Sequence, residues 1–165
     1  MAYRETLERT APQRVPTVRK GSPEEKAAIE RFADFISRLS EENIRAKARK
    51  VYAADAYLND TLKESIGIDR IEAYFIETAR AAEEITAKVE DMAESGGNYY
   101  FRWTMNVRFK RFKKGETVRS LGMSHIRFNS AGQVVLHQDY WDSGSNLFEH
   151  IPVVGWLIRR IKSRL

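Results

Sequence analysis

Tyr99-Tyr-Phe-Arg-Trp-Thr-Met-Asn-Val-Arg-Phe-Lys-Arg-Phe112 alternates with a period of two. Tyr99, Phe101, Trp103, Met105, Val107 and Phe109 fall on one side, and Tyr100, Arg102, Thr104, Asn106, Arg108 and Lys110 on the other. Successive side chains of a strand point to opposite faces, so the stretch predicts one long strand, apolar on one face and polar on the other. Downstream, Lys113-Lys-Gly-Glu116 predicts a turn into a strand over 117–128, and Asn129-Ser-Ala-Gly132 a turn into another over 133–142. Upstream, Ser95-Gly-Gly-Asn98 reads as a loop after a strand at 85–92. The second half of the chain is therefore expected to be an antiparallel meander.

The first half changes period. Ser22-Pro-Glu-Glu25 supplies an N-cap, a first-turn proline and early acids, and Ile29, Phe32, Ile36 and Leu39 follow at helical spacing. Ser40-Glu-Glu-Asn43 restarts a helix with Ile44, Ala48 and Val51 inward, leading to a short strand that puts Ala56, Leu58 and Asp60 on one face. Asp69-Arg-Ile-Glu72 resembles a capping box opening a third helix, with Ile71, Phe75 and Ala79 inward. Residues 1–21, with Pro12, Pro16 and Gly21 and no sustained periodicity, predict a flexible N-terminal arm. Residues 151–165 predict a basic amphipathic helix in which Trp156, Leu157, Ile161 and Leu165 oppose Arg159, Arg160, Lys162 and Arg164. Helices followed by a meander imply an α+β domain over 22–150: a curved antiparallel sheet wrapped around helices, shaped as a cone.

Composition narrows the function classes. With 42% hydrophobic residues in 165 the chain can bury a core, and no apolar run reaches the roughly 18 residues of a membrane span. Met1–Lys20 holds no apolar block, so it does not read as a secretory signal. Zero cysteines exclude disulfides, zinc-thiolate sites and thiol catalysis, and a reducing cytoplasm is the expected location. The net charge of +5 is uneven: residues 1–22 carry +3 and 159–165 carry +4, leaving −2 on the folded body. Nucleic-acid domains carry their positive charge on the folded surface, so this distribution argues against that partner. The C-terminal helix is expected to pack Trp156 and Leu157 on the body rather than lie on an anionic membrane. No phosphate loop, dinucleotide fingerprint or hydrolase elbow occurs, and His125, His137 and His150 fall on opposite faces or separate elements; neither a metal nor a cofactor is expected.

Three segments carry a family resemblance. Val51-Tyr-Ala-Ala-Asp-Ala-Tyr-Leu-Asn-Asp60, Ile126-Arg-Phe-Asn-Ser-Ala-Gly-Gln-Val134 and Asp139-Tyr-Trp-Asp142 resemble the nuclear-transport-factor-2-like superfamily. That group holds ketosteroid isomerases, SnoaL-like polyketide cyclases, scytalone dehydratase and limonene-epoxide hydrolase. The resemblance implies a cystatin-like α+β barrel with a pocket lined by Phe101, Trp103 and Trp141, and it puts Asp60 at the proton-shuttling carboxylate. Ketosteroid isomerase needs a tyrosine and a protonated aspartic acid as oxyanion donors. Here those positions fall on Phe35 or Ile36 and on Ser124, so isomerisation of the usual ketosteroid kind is not expected.

Strand parity adds to the site independently. If Trp141 faces the cone, so do His137 and Asp139 on the same strand. The expected site comprises Asp60, Asp139 and His137 as proton-handling groups, with Phe101, Trp103, Ser124 and Trp141 against the ligand. Asp142 has the opposite parity and is expected to cap the next loop; His125 points away from the cone, toward an interface. The expected function is binding of a small lipophilic molecule, with isomerase, cyclase or dehydratase chemistry by proton transfer. The alternative is a non-catalytic binding or interaction module. The polar outer face is expected to pair two copies in a homodimer.

Overall fold

The computed structural model describes residues 2–111, 115–146, 148–150 and 152–164. Helices α1 (Ala2–Arg9), α2 (Pro23–Ser37) and α3 (Glu41–Val51) precede strands β1 (Tyr52–Asn59) and β2 (Glu64–Ile66). Helix α4 (Ile68–Ala81) leads into β3 (Ala82–Ser95), β4 (Asn98–Phe109), β5 (Val118–Phe128) and β6 (Val134–Trp141). A short α5 (Ser143–Asn146), a 3₁₀ turn (Phe148–His150) and α6 (Pro152–Lys162) close the chain. Of the expected β4–β5 connection, Phe112, Lys113 and Lys114 lie outside the described residues, as does Leu165.

The strands form one curved, unclosed sheet in the order β2-β1-β6-β5-β4-β3. The meander β3 to β6 is antiparallel throughout. The expectation of a wholly antiparallel sheet is corrected at β1, which runs parallel to β6 and pairs antiparallel with β2 on its other edge. Helices α2, α3 and α4 fill the concave side. Phe32, Phe35, Ile44, Ala48, Val51 and Ile71 pack there against Tyr99, Phe101, Ile126, Phe128 and Val134.

The helix starts follow local chemistry. Ser22 Oγ accepts from Glu25 N at 3.2 Å and Ser40 Oγ from Asn43 N at 3.2 Å, as N-caps do. The capping box at Asp69 does not form. Gly67, at φ 87°, starts α4 without a side-chain cap, while Asp69 and Glu72 accept from Arg49 at 2.6 and 2.7 Å. An interhelix guanidinium has taken both carboxylates from the backbone.

Two further expectations are corrected. The N-terminal arm contains α1, which lies across the outer face of the sheet. Tyr140 donates to Tyr3 Oη at 2.9 Å, Tyr3 Oη meets His125 Nδ1 at 3.1 Å, and Arg127 Nη1 donates to Leu7 O at 2.7 Å and Thr10 Oγ1 at 3.1 Å. His125 thus faces an interface within its own chain. The C-terminal helix does not bury its expected stripe: Trp156 and Leu157 are 59% and 52% exposed. It turns Gly155 inward instead, where a Cβ would sit 1.9 Å from the Glu149 carbonyl, and Lys162 donates to Glu149 at 2.5 Å. Close backbone approach and an ion pair, not an apolar seam, set its orientation.

Burial, reinforced by the neighbouring Arg127 charge, lowers His125 from the usual 6.5 to about 4. Between those values the unfolded chain takes up a proton that the folded chain refuses, so acid favours unfolding there, while above 6.5 this residue adds no pH dependence. Thermal denaturation followed from pH 7 to 4 should therefore show a steeper loss of stability for the wild type than for His125→Gln. Parallel curves would show that His125 is not held neutral against α1.

Candidate acid–base site on the concave face

Register assembles the site. Across β4, β5 and β6 the inward residues stand in rows: Trp103 opposite Gly122 opposite Trp141, then Phe101 opposite Ser124 opposite Asp139. A third row sets Tyr99 opposite Ile126 opposite His137, which also pairs with Leu58 of β1. Directly opposed residues share a face at about 4.5–5.5 Å between Cβ atoms. Four of the expected site residues, Asp139, His137, Ser124 and Trp103, meet through this register.

Their hydrogen bonds form one chain. Trp103 Nε1 donates to Ser124 Oγ at 2.9 Å, and Ser124 Oγ donates to Asp139 Oδ1 at 2.5 Å. His137 Nε2 contacts the same oxygen at 2.8 Å, and its Nδ1 lies 2.8 Å from Tyr52 Oη. Indole N–H only donates and a carboxylate only accepts, which fixes the direction from Trp103 to Asp139. Tyr52 has no other partner among the described residues, so its hydrogen goes to Nδ1 and the imidazole proton sits on Nε2, facing Asp139. Burial, then the Asp139 charge, raises Tyr52 well above the usual phenol value, which keeps it a donor. Asp139 Oδ2 is left without a hydrogen bond among the described residues, on a side chain 14% exposed.

Asp60 arrives differently. It lies past the end of β1, in a turn where Thr61 adopts φ 73°, an uncommon conformation for a β-branched residue. Oδ1 accepts from Leu62 N at 3.0 Å and Lys63 N at 2.9 Å, and Oδ2 accepts from the Tyr74 hydroxyl. The carboxylate is thus both a turn cap and the anchor of a phenol. Trp141 Nε1 donates to the Asp60 carbonyl at 2.7 Å, fastening β6 to this turn. Burial first, then the Asp60 charge and bond and more weakly the Asp139 charge, push the Tyr74 phenol up; one hydroxyl therefore senses both carboxylates.

Phe101 is fully buried, with its ring 4.9 Å from Phe32. Phe32 also meets His137 edge-on at 5.4 Å, and Phe35 meets Tyr52 at 5.8 Å. The expected pocket-lining Phe101 is thus a core residue that supports the site from below. Two open hollows of about 270 and 480 Å³ lie elsewhere, one bordered by Arg38–Glu41, the end of α4 and the start of β3, the other under α1. Asp142 Oδ1 accepts from Ser145 N at 2.8 Å, the cap expected of it.

Sequence reasoning missed Tyr52 and Tyr74. Tyr52 sits where α3 becomes β1, a junction at which neither period assigns a face. The resemblance left no tyrosine at Phe35 or Ile36, yet Tyr52 packs against Phe35 and delivers a hydroxyl to the dyad.

The sequence profile of the SnoaL-like domain matches residues 29–137, about two thirds of the chain. The chain belongs to the SnoaL-like domain family. No curated protein matches it. Among solved structures, a candidate SnoaL-like polyketide cyclase from Shewanella putrefaciens CN-32 is similar, at 16% identity and TM-score 0.63, covering 80% of this chain and 98% of its own. A protein of ketosteroid-isomerase-like fold from Catenulispora acidiphila DSM 44928, in complex with trimethylamine, shares 15% identity and TM-score 0.62 over 76% of this chain and 91% of its own. An LEH-like epoxide hydrolase of M. tuberculosis shares 13% identity and TM-score 0.58, covering 84% of this chain and 92% of its own. At such identities these neighbours establish the SnoaL-like fold alone.

Within this SnoaL-like site, Gly122 is a steric requirement. A Cβ there would stand 2.3 Å from the Trp103 ring, which lies across the glycine. Gly122→Ala should displace the indole from Ser124, change the tryptophan emission spectrum and cost about 1–3 kcal/mol of stability, as overpacking does. An unchanged spectrum and melting temperature would show that Trp103 is not locked by this contact.

Proposed function

We propose that this SnoaL-like domain binds a small lipophilic molecule at the Asp139 face of the cone and moves a proton on it without a cofactor. The observation that carries the reading is the asymmetry of Asp139. Ser124 and His137 both donate to Oδ1, while Oδ2 makes no bond among the described residues. Two donors fix the carboxylate plane, so the open oxygen is a base of set direction. His137, with its tautomer held by Tyr52, orients that base, and Oδ2 itself returns the proton it takes. Asp60 serves by fixing the rim, with the Tyr74 hydrogen on its carboxylate, and Trp103 and Trp141 provide apolar wall. Abstraction of a proton next to a carbonyl by Asp139 Oδ2, which then returns that proton to the product, is the step this geometry supports best.

The second reading, a non-catalytic binding or interaction module, is favoured by one observation: the aromatic rings of Phe32, Phe35, Tyr52, Phe75 and Phe101 interlock beneath the dyad. Solvent-deuterium wash-in at the α-carbon of 2-tetralone, followed by NMR, separates the two. The wild type should accelerate exchange. Asp139→Asn, which keeps an oxygen for Ser124 and His137, should lower the rate by about 10²–10⁴-fold, the usual contribution of a placed general base. Equal exchange with wild type, Asp139→Asn and no protein would leave the module.

For assembly, we propose a homodimer through the uncovered part of the outer face, around Leu121, which is 62% exposed beside Arg102 and Asn106. Light scattering at micromolar concentration should give twice the chain mass, and Leu121→Glu should halve it. A monomeric wild type overturns the pairing.

A further inference from the structure

The outer face holds a buried cation with nothing negative beside it. Arg127 is only 8% exposed, yet its bonds go to neutral oxygens: Nε to Asn98 Oδ1 at 2.7 Å, Nη1 to Leu7 O at 2.7 Å and to Thr10 Oγ1 at 3.1 Å. Among the described residues no carboxylate pairs with it, and Nη2 makes no hydrogen bond. Burial lowers its affinity for a proton, but a guanidinium stays charged in proteins. A buried charge is normally paired, and here the guanidinium meets only neutral oxygens while Nη2 opens to solvent.

Arg127 lines the hollow of about 480 Å³ between α1 and the sheet, a size in the range of small-molecule sites. Tyr3, Leu7, Tyr100, Met123 and Tyr140 supply flat and apolar wall. The hydroxyl of Tyr100 has no partner among the described residues, and its ring stacks on His125 at 5.0 Å. His125 is already satisfied by Tyr3 and Asn98. The groups with unused donors on this wall are therefore a guanidinium nitrogen and a phenol.

We propose that this hollow is a second binding site, separate from the Asp139 site, for a small organic monocarboxylate with a flat apolar body. The carboxylate pairs with Arg127 Nη2 and accepts from Tyr100 Oη, while the body lies against Met123, Leu7 and the tyrosine rings. One fixed positive charge selects a monoanion, and the aromatic walls select against small hydrated ions such as phosphate.

The test is titration of the full chain with 2-naphthoate, its uncharged counterpart 2-naphthamide and inorganic phosphate, followed by calorimetry and by the methyl resonances of the methionines. Naphthoate should bind one to one and shift Met123 but not Met105, which faces the core. Naphthamide and phosphate should bind about tenfold more weakly or worse, the cost of losing a charged hydrogen bond or the apolar contact. Arg127→Gln should abolish binding. Because Arg127 also pins α1, Tyr100→Phe provides the variant that spares those pins: it should weaken naphthoate severalfold with the ligand-free melting temperature unchanged. Asp139→Asn should bind naphthoate as the wild type does, which separates this site from the proton-transfer reading. Equal affinity for acid and amide, wild-type binding by both Arg127→Gln and Tyr100→Phe, or a shift of Met105 in place of Met123 would overturn the proposal.

Discussion

The arrangement on which the concave face depends is the convergence of two donors on one oxygen of Asp139. Ser124 reaches it from the neighbouring strand and His137 from two residues back on its own, so the contact requires both the β5–β6 register and the pleat of β6. A slip of one residue would carry Asp139 and His137 to the outer face together and exchange them for Gln138 and Tyr140. Trp103 over Gly122 and Trp141 on the Asp60 carbonyl hold that register at its Gly122–Trp141 end. The polar chain is affordable in an apolar cone because each member between the indole and the carboxylate is satisfied, and a fully satisfied buried network rigidifies rather than destabilises.

The helices set how much of the cone is core. Phe32 and Phe35 of α2, with Phe75 of α4, reach the sheet and close the interior beneath His137 and Tyr52. The rim lies beyond this filling, and there Asp60, Tyr74, Asp139 and Trp141 are half-buried. Burial on one side desolvates the phenols and keeps them protonated, while exposure on the other lets Asp139 keep an open oxygen. The same aromatic filling that stabilises the domain thus leaves only its rim partly open to solvent.

Much of this was legible in the sequence because strand parity is local. The alternation from Tyr99 to Phe109 and the spacing of His137, Asp139 and Trp141 named the inward residues before any fold was known, and Ser22 and Ser40 named two helix starts. What was not legible depended on distant partners. Nothing within Tyr52–Asn59 reveals that it lies parallel to a strand 80 residues away, nor that Arg49 outcompetes the α4 backbone for Asp69 and Glu72. Residues 2–9 looked unstructured because a helix with only Tyr3 and Leu7 on its apolar side gains its order from the tyrosines, His125 and Arg127 beneath it. In α6 the packing face is chosen by a glycine, which carries no hydrophobic signal.

The two described histidines of the sheet share one bonding pattern in two different electrostatic settings. Each meets a tyrosine hydroxyl at Nδ1, Tyr3 at 3.1 Å for His125 and Tyr52 at 2.8 Å for His137. Each meets a side-chain oxygen at Nε2, 2.9 Å away in Asn98 and 2.8 Å away in Asp139. The difference is charge. Asn98 is a neutral amide whose oxygen is shared with the Arg127 guanidinium, so a second proton on His125 would meet a cation and no anion. Asp139 is a carboxylate, so the Nε2–H of His137 points at a negative charge. The same bonding on opposite faces of one sheet thus sets one imidazole beside a cation and the other beside a carboxylate, and the sign of the nearest fixed charge is what tells them apart.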